Sequence, residues 1–341
     1  MLFLLCVIFV LSGAAGLVYE SIWTRYLGLF VGHGAYAQVL VLVIFLGGMS
    51  IGALAVSRRA ERVRNPLLWY AVVEHVVGLI GLVFHDAFLW ATHAAYDAIF
   101  PALGPGTLHL LTKWSIAALL ILPQSLLLGA TFPLMVAGAL RPAPERAGRT
   151  IALLYFANSL GAAAGVLVAG FVLISRFGLP GTLLAASMTN IVVAGAAFLA
   201  SRFVGEVTAQ PRIAADLRPA VGPDPHALAI PARLARLMLL VSFGTAVSSF
   251  IYEIGWIRML SLVLGSATHS FELMLSAFIL GLSLGAFAIR RRNGEHRRTL
   301  QQLAHVQLAM GVLAVATLPV YARSFEWMGA FMAAFTQEEA G

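Results

Sequence analysis

Short polar segments divide the chain into apolar stretches of about 20 residues, the length that carries an α-helix across a ~30 Å hydrocarbon layer at ~1.5 Å per residue. The stretches fall at 2–19, 37–56, 67–88, 114–139, 151–174, 180–201, 235–253, 268–289 and 302–320. Of the 341 residues, 60% are hydrophobic and 11% charged. Water-facing domains run near ~25% charged, so this chain lacks the charge to cover a surface of its size in water but can cover one in lipid. The expected fold is an all-α polytopic membrane protein of about nine spanning helices, with the bilayer as its main partner.

Net charge is +7, which invites a nucleic-acid reading. The placement of the charges argues against it. The 22 Lys and Arg concentrate in inter-helix segments, at Arg58, Arg59, Arg62 and Arg64; Arg141, Arg146 and Arg149; Arg202, Arg212, Arg218, Arg233 and Arg236; and Arg290, Arg291, Arg292, Arg297 and Arg298. These segments alternate with poor ones, as the positive-inside rule requires of cytoplasmic loops. No nucleic-acid partner is expected, since aromatic residues do not interleave the basic ones. The same rule predicts a multi-pass protein of the cell (inner) membrane with a cytoplasmic N-terminus. The small-residue run Ser12-Gly13-Ala14-Ala15-Gly16 resembles a signal cleavage site, but no basic region precedes it. The first stretch is therefore expected to be a retained helix.

The second strong feature is a recurrence at a shift of 233 residues. Tyr19-Glu20-x-x-Trp23-x-Arg25-x-Leu27-x-Leu29-x-x-Gly32 falls on Tyr252-Glu253-x-x-Trp256-x-Arg258-x-Leu260-x-Leu262-x-x-Gly265. In the same register Phe45-x-x-Gly48-x-Ser50-x-Gly52-Ala53 falls on Phe278-x-x-Gly281-x-Ser283-x-Gly285-Ala286, and Ala71 and Gly78 meet Ala304 and Gly311. The predicted organisation is a first six-helix repeat over 1–203, a polar cytoplasmic linker over 204–233, and a partial second repeat of three helices over 234–341. Six spans return the chain to its starting side, so the copies are parallel, the plan of a major-facilitator-like bundle with its second copy truncated.

Within this frame a few polar residues stand out. Glu74 and His75 lie inside the third stretch, where an ionisable side chain is a functional hypothesis by default. Glu74 is read either as a cation or proton site, with His75 as partner or relay, or as a carboxyl hydrogen-bonded to a neighbouring helix. Its equivalent in the second copy is Gln307. Glu20 and Arg25, with Glu253 and Arg258, are read as an outer gate or substrate-facing pair; the alternative is interfacial charges reaching water beside a Tyr/Trp belt. Gly48, Gly52, Gly161, Gly165, Gly281 and Gly285 form small-xxx-small faces for helix packing. Gln124, Thr131, Asn158 and Asn190 are expected to bond between helices, and Pro123 and Pro133 to kink theirs. Residues 85–113 are expected to form a polar loop. Cys6 is the sole cysteine, and no catalytic, cofactor-binding or metal-ligating set is legible, so no cofactor is expected.

The run Leu11 to Arg25, with Gly129-Ala130-Thr131-Phe132-Pro133-Leu134 and Tyr155-x-Ala157-Asn158-Ser159-Leu160-Gly161-Ala162, resembles the membrane region of fused major-facilitator/spermidine-synthase-like proteins. In that family a helical bundle precedes a soluble aminopropyltransferase-like domain that binds decarboxylated S-adenosylmethionine and a polyamine. The resemblance implies a transporter-like domain handling a small cationic metabolite such as a polyamine. Its alternative is a non-transporting anchor for a soluble synthase, supplied by a separate partner or by the missing remainder of the chain. This sequence reaches Gly341 without a glycine-rich nucleotide loop or acidic catalytic cluster, so no family active-site residue carries over to it.

Overall fold

The computed structural model describes residues 1–60, 62–141, 147–203, 232–289 and 296–338. These are helical almost throughout and contain no strand. In chain order the helices are α1 Leu2–Val31, α2 Gly34–Ala60, α3 Pro66–Ala94, the short α4 Phe100–Leu103, α5 Thr107–Leu140, α6 Ala147–Val168, α7 Ile174–Phe203, α8 Ala232–Leu264, α9 Ala267–Ile289 and α10 His296–Glu338. Among the described residues, eight helical segments are long and apolar enough to cross a membrane. One of them, Ala147–Arg202, runs through α6 and α7. Its backbone breaks at Gly178 (φ 66°, ψ −172°), a left-handed conformation that suits glycine, and Pro180 follows. Both arms of this segment pack along α1, and the break lies in the gap between the fifth and sixth stretches of the sequence reading. The predicted linker, 204–233, lies almost wholly outside the described residues, as does much of the basic segment around 290–298.

The expected loop over 85–113 is mostly helix. α3 runs on to Ala94, and a π-helical turn over Ala95–Ile99 hands it to α4. Polar side chains there do not stop the helix; Gly104 and Gly106, at φ 64° and 154°, do. Pro123 and Pro133 both lie within the continuous helix α5. At the start of α3, Pro66 takes the first helical position and the Asn65 side chain accepts from the Leu68 N–H, satisfying a donor the helix leaves open.

The chain forms two compact units, Met1–Gly222 with Ile279–Arg290, and Pro223–Phe278 with Arg291–Gly341. In the first, α1 is the hub, packing on α2, α6 and α7, while α5 packs on α2 and α3. Absent side chains set these approaches. A Cβ on Gly161 or Gly165 would overlap the Val10 or Ala14 carbonyl of α1, and one on Gly52 the Leu126 carbonyl of α5. At Gly48 it would stand 2.6 Å from Ser125 Cβ. Dispersion between backbones at such range is the main source of helix association in lipid. Near one end of the bundle Lys113 sits 5.4–5.9 Å from the rings of Phe30, Tyr96 and Phe100. At the start of the 141–147 connection the Arg141 guanidinium donates to the Val63 and Arg64 carbonyls, tying the α2–α3 turn to α5.

In the second unit α8 packs on α10. Its helices present long apolar faces: Leu239, Leu240, Phe243, Val306, Leu308 and Val315 are all exposed. The glycine faces differ as well. On the part of α9 that belongs to the first unit, a Cβ on Gly281 or Gly285 would meet nothing within 4 Å.

A buried carboxyl where three helices meet

Glu74 is fully buried. It lies on the inward stripe of α3 with Tyr70, Ala71, Val77, Gly78 and Gly81, at the three- and four-residue spacing that keeps side chains on one helix face. Two neighbouring helices supply its partners. The Ser12 hydroxyl of α1 donates to Oε1 at 2.5 Å, and the Asn190 amide of α7 donates to Oε2. Glycine permits this convergence. A Cβ on Gly78 would come within 2.9 Å of Ile191 Cγ1 and 3.0 Å of the Ser187 carbonyl, and one on Gly81 within 2.7 Å of the Tyr19 hydroxyl.

A layer of polar atoms surrounds the carboxyl. The Tyr70 hydroxyl stands beside Glu74 and Ser12 but reaches hydrogen-bond geometry with neither. Gln124 of α5 donates to the Val77 carbonyl at 3.1 Å, one turn along α3 from Glu74, which leaves its own Oε1 unpaired. Asn190 Oδ1 is also unpaired. Tyr19 donates to Ser187 at 3.3 Å, and Ser187 donates to the Leu183 carbonyl at 2.8 Å. Among the described residues no Lys, Arg or His pairs with Glu74. An ionised carboxylate buried without a counter-charge costs several kcal/mol even after relaxation, and two charge-assisted hydrogen bonds offset part of that. The set is rich in acceptors and poor in cations. It complements a positively charged group carrying N–H donors.

The other residues singled out from sequence are dispersed. His75, one position on, is exposed and faces away from Glu74. Glu20 is buried on α1, two turns or about 12 Å along the axis from Ser12; Arg25, also on α1, is half-buried. On α8, Glu253 is buried and Arg258 exposed. Two participants in the Glu74 site and one further buried acid escape the sequence reading. Ser12 is hidden in a run of small residues, Tyr70 reads as an aromatic helix residue, and Glu272 sits inside an apolar stretch. Glu272 is fully buried on α9, with its Oε2 3.2 Å from Nδ1 of His269. A lone acid three residues after a histidine in an apolar span is the signal that marks it.

The second unit has contacts at matching positions. Gln307 of α10 donates to the Thr245 hydroxyl of α8 at 2.8 Å; the pair is 62 residues apart, as are Ser12 and Glu74. Tyr252 stacks on Trp256 at 5.5 Å and 18°, and Tyr19 on Trp23 at 5.7 Å and 19°. Trp256 donates to Thr317 at 3.3 Å, where Trp23 packs on the ring of Phe84 at 6.0 Å.

No family model matches the chain, and no solved structure matches it. Over 180 residues it is 27% identical to polyamine aminopropyltransferase 1 of Streptomyces coelicolor (strain ATCC BAA-471 / A3(2) / M145). The alignment takes in 52% of this chain and 30% of that protein, so the chain spans under a third of the curated relative it matches. Multiple long apolar helices and this distant likeness together describe a membrane-compatible helical protein, part of which is similar to part of a polyamine aminopropyltransferase.

Proposed function

We propose that the chain is a transporter-like integral membrane domain that binds a small organic cation, a polyamine in the first instance, at Glu74. The observation that carries this reading is a fully buried carboxyl with no cationic partner among the described residues, beside unpaired acceptors on Asn190 and Gln124. An ammonium group supplies the missing charge and donors together. The polyamine identity leans on the printed name of the relative, whose own activity belongs to that protein. Glu20 and Glu253, buried at corresponding positions of α1 and α8, are the outer candidates for cation contact.

The finer architecture belongs to the same proposal: a major-facilitator-like bundle with parallel repeats, nine spans, a cytoplasmic N-terminus and an inner-membrane location. The matched contacts of the two units support the repeat. Tags inserted within 57–66 and within 290–300 should report from the same membrane face, and opposite faces overturn the topology.

The backbone-to-backbone packing of the first unit favours a second reading, a rigid anchor for a soluble aminopropyltransferase-like partner. Purified protein in liposomes separates the two. Uptake or saturable binding of labelled spermidine that Glu74→Gln abolishes supports the transporter. Absence of binding in wild type, with co-purification of a soluble synthase, supports the anchor.

A further inference from the structure

The second unit repeats the polar contact of the first with its chemistry inverted. In the first, a hydroxyl donates to a carboxyl across α1 and α3. In the second, the amide of Gln307 donates to the hydroxyl of Thr245 across α10 and α8. The partners in each pair are 62 residues apart, the hydroxyl residue of each lies on the helix that also carries the stacked Tyr/Trp pair, and the pairs are displaced by the same 233 residues as the sequence recurrence. Ser12 answers to Thr245, and Glu74 to Gln307. Glutamate and glutamine are isosteric, so the geometry survives while the charge does not.

We propose that Thr245–Gln307 is the uncharged counterpart of the Ser12–Glu74 contact, and that the charge of residue 307 determines whether this position of the second unit holds an organic cation. The amide spends one N–H on Thr245, and the Thr245 hydroxyl is committed to the Val241 carbonyl at 2.8 Å. What Gln307 then offers is a neutral carbonyl oxygen, which accepts a hydrogen bond without compensating a charge. A carboxylate at this half-buried position reproduces the hydroxyl-to-carboxyl contact of Ser12 and Glu74, with the threonine hydroxyl turning from Val241 to donate to it. Of these two equivalent positions wild type therefore fills one, at Glu74, and Gln307→Glu fills both. This inference rests on the cation-binding reading of Glu74.

The test measures labelled spermidine bound at equilibrium to purified full-length protein in detergent, for wild type, Glu74→Gln, Gln307→Glu and the double exchange. A hydrophobic carbodiimide, which modifies carboxyls held in apolar surroundings, is applied in parallel and the labelled peptides are identified by mass spectrometry. Expected stoichiometries are one, none, two and one, with carbodiimide adducts on Glu74, on neither position, on both, and on residue 307 alone. Spermidine should protect each adduct. If wild type binds none but the carbodiimide still labels residue 307 in Gln307→Glu, the cation reading of Glu74 falls while the equivalence of the sites stands. If wild type binds one and a monodisperse Gln307→Glu protein binds no more and gains no adduct, the equivalence falls. Should Gln307→Glu aggregate, Gln307→Asp and Thr245→Ser/Gln307→Glu repeat the measurement, and failure of both to label overturns the proposal.

Discussion

The two units use one pattern of residues and enclose it differently. In the first, α1 has half of its most apolar window buried, and Gly48 and Gly52 seat directly against α5. In the second, the most apolar windows of α8 and α10 have none buried; Gly281 and Gly285, the counterparts of Gly48 and Gly52 on the part of α9 that belongs to the first unit, face open space. The same small-xxx-small sequence thus gives a packed interface in one place and a bare face in the other. Glycine spacing states that a helix can be approached closely. Only a partner helix makes the approach occur.

The sharpest way to break the comparison is to fill the glycines. Gly52→Leu should abolish folding of the first unit or cost upwards of ~3 kcal/mol, since overpacking costs ~1–3 kcal/mol even where neighbours can yield and here the obstacle is backbone. Gly285→Leu should shift stability by no more than about 0.5 kcal/mol, as surface changes do. Thermal melting in detergent compares them, and equal losses would show that the second face is covered. Next in size is Asn190→Leu, which removes the amide from Glu74 and leaves a buried carboxyl with one donor; a loss of about 1–3 kcal/mol is expected. Thr245→Val, the matching loss of a partner in the second unit, should cost near ~0.6 kcal/mol, the average for helix–helix hydrogen bonds in a membrane protein. Urea or detergent-denaturation midpoints measured side by side would reverse the ranking if the second contact were the buried one. The smallest difference concerns the tryptophans. Trp256→Phe forfeits the bond to Thr317, again about 0.6 kcal/mol. Trp23→Phe loses no hydrogen bond, because the indole N–H of Trp23 has no acceptor among the described residues, and its cost is packing alone. Phe84→Thr supplies the acceptor but empties part of a buried aromatic cluster, so it should destabilise both backgrounds, wild type by less than Trp23→Phe, a coupling that a double-mutant cycle reads directly.

Much of the helical plan was legible because lipid imposes a length on each segment, and length is visible in a string of letters. The break at Gly178 falls between two stretches separated by sequence alone. The continuation of α3 through 85–103 was not legible, because polar residues such as His85, Asp86, His93 and Asp97 suggest water while saying little about backbone torsion; His93 and Asp97 in fact sit one helical turn apart, 3.7 Å from each other and largely exposed. Glu74 announced itself by its charge. Its surroundings did not, since Ser12, Tyr70 and Asn190 are ordinary helix residues until the rotation of α1 and α7 about their axes is known. His75 shows the converse: adjacency in sequence promised a partner, and a 100° step around the helix turned it outward.

The partners of Glu74 also arrive at different times. Ser12 is already made when Glu74 leaves the ribosome, but Asn190 follows 116 residues later. At bacterial-to-eukaryotic synthesis speeds of ~5–20 residues per second, that is a wait of roughly ten seconds. For that interval the acid has only a serine for company, in the insertion machinery or the bilayer if the chain is the membrane domain proposed. A nascent α1–α3 segment is thus an incomplete object to which surveillance proteases and membrane chaperones have access, and arrival of α7 is the event that closes it.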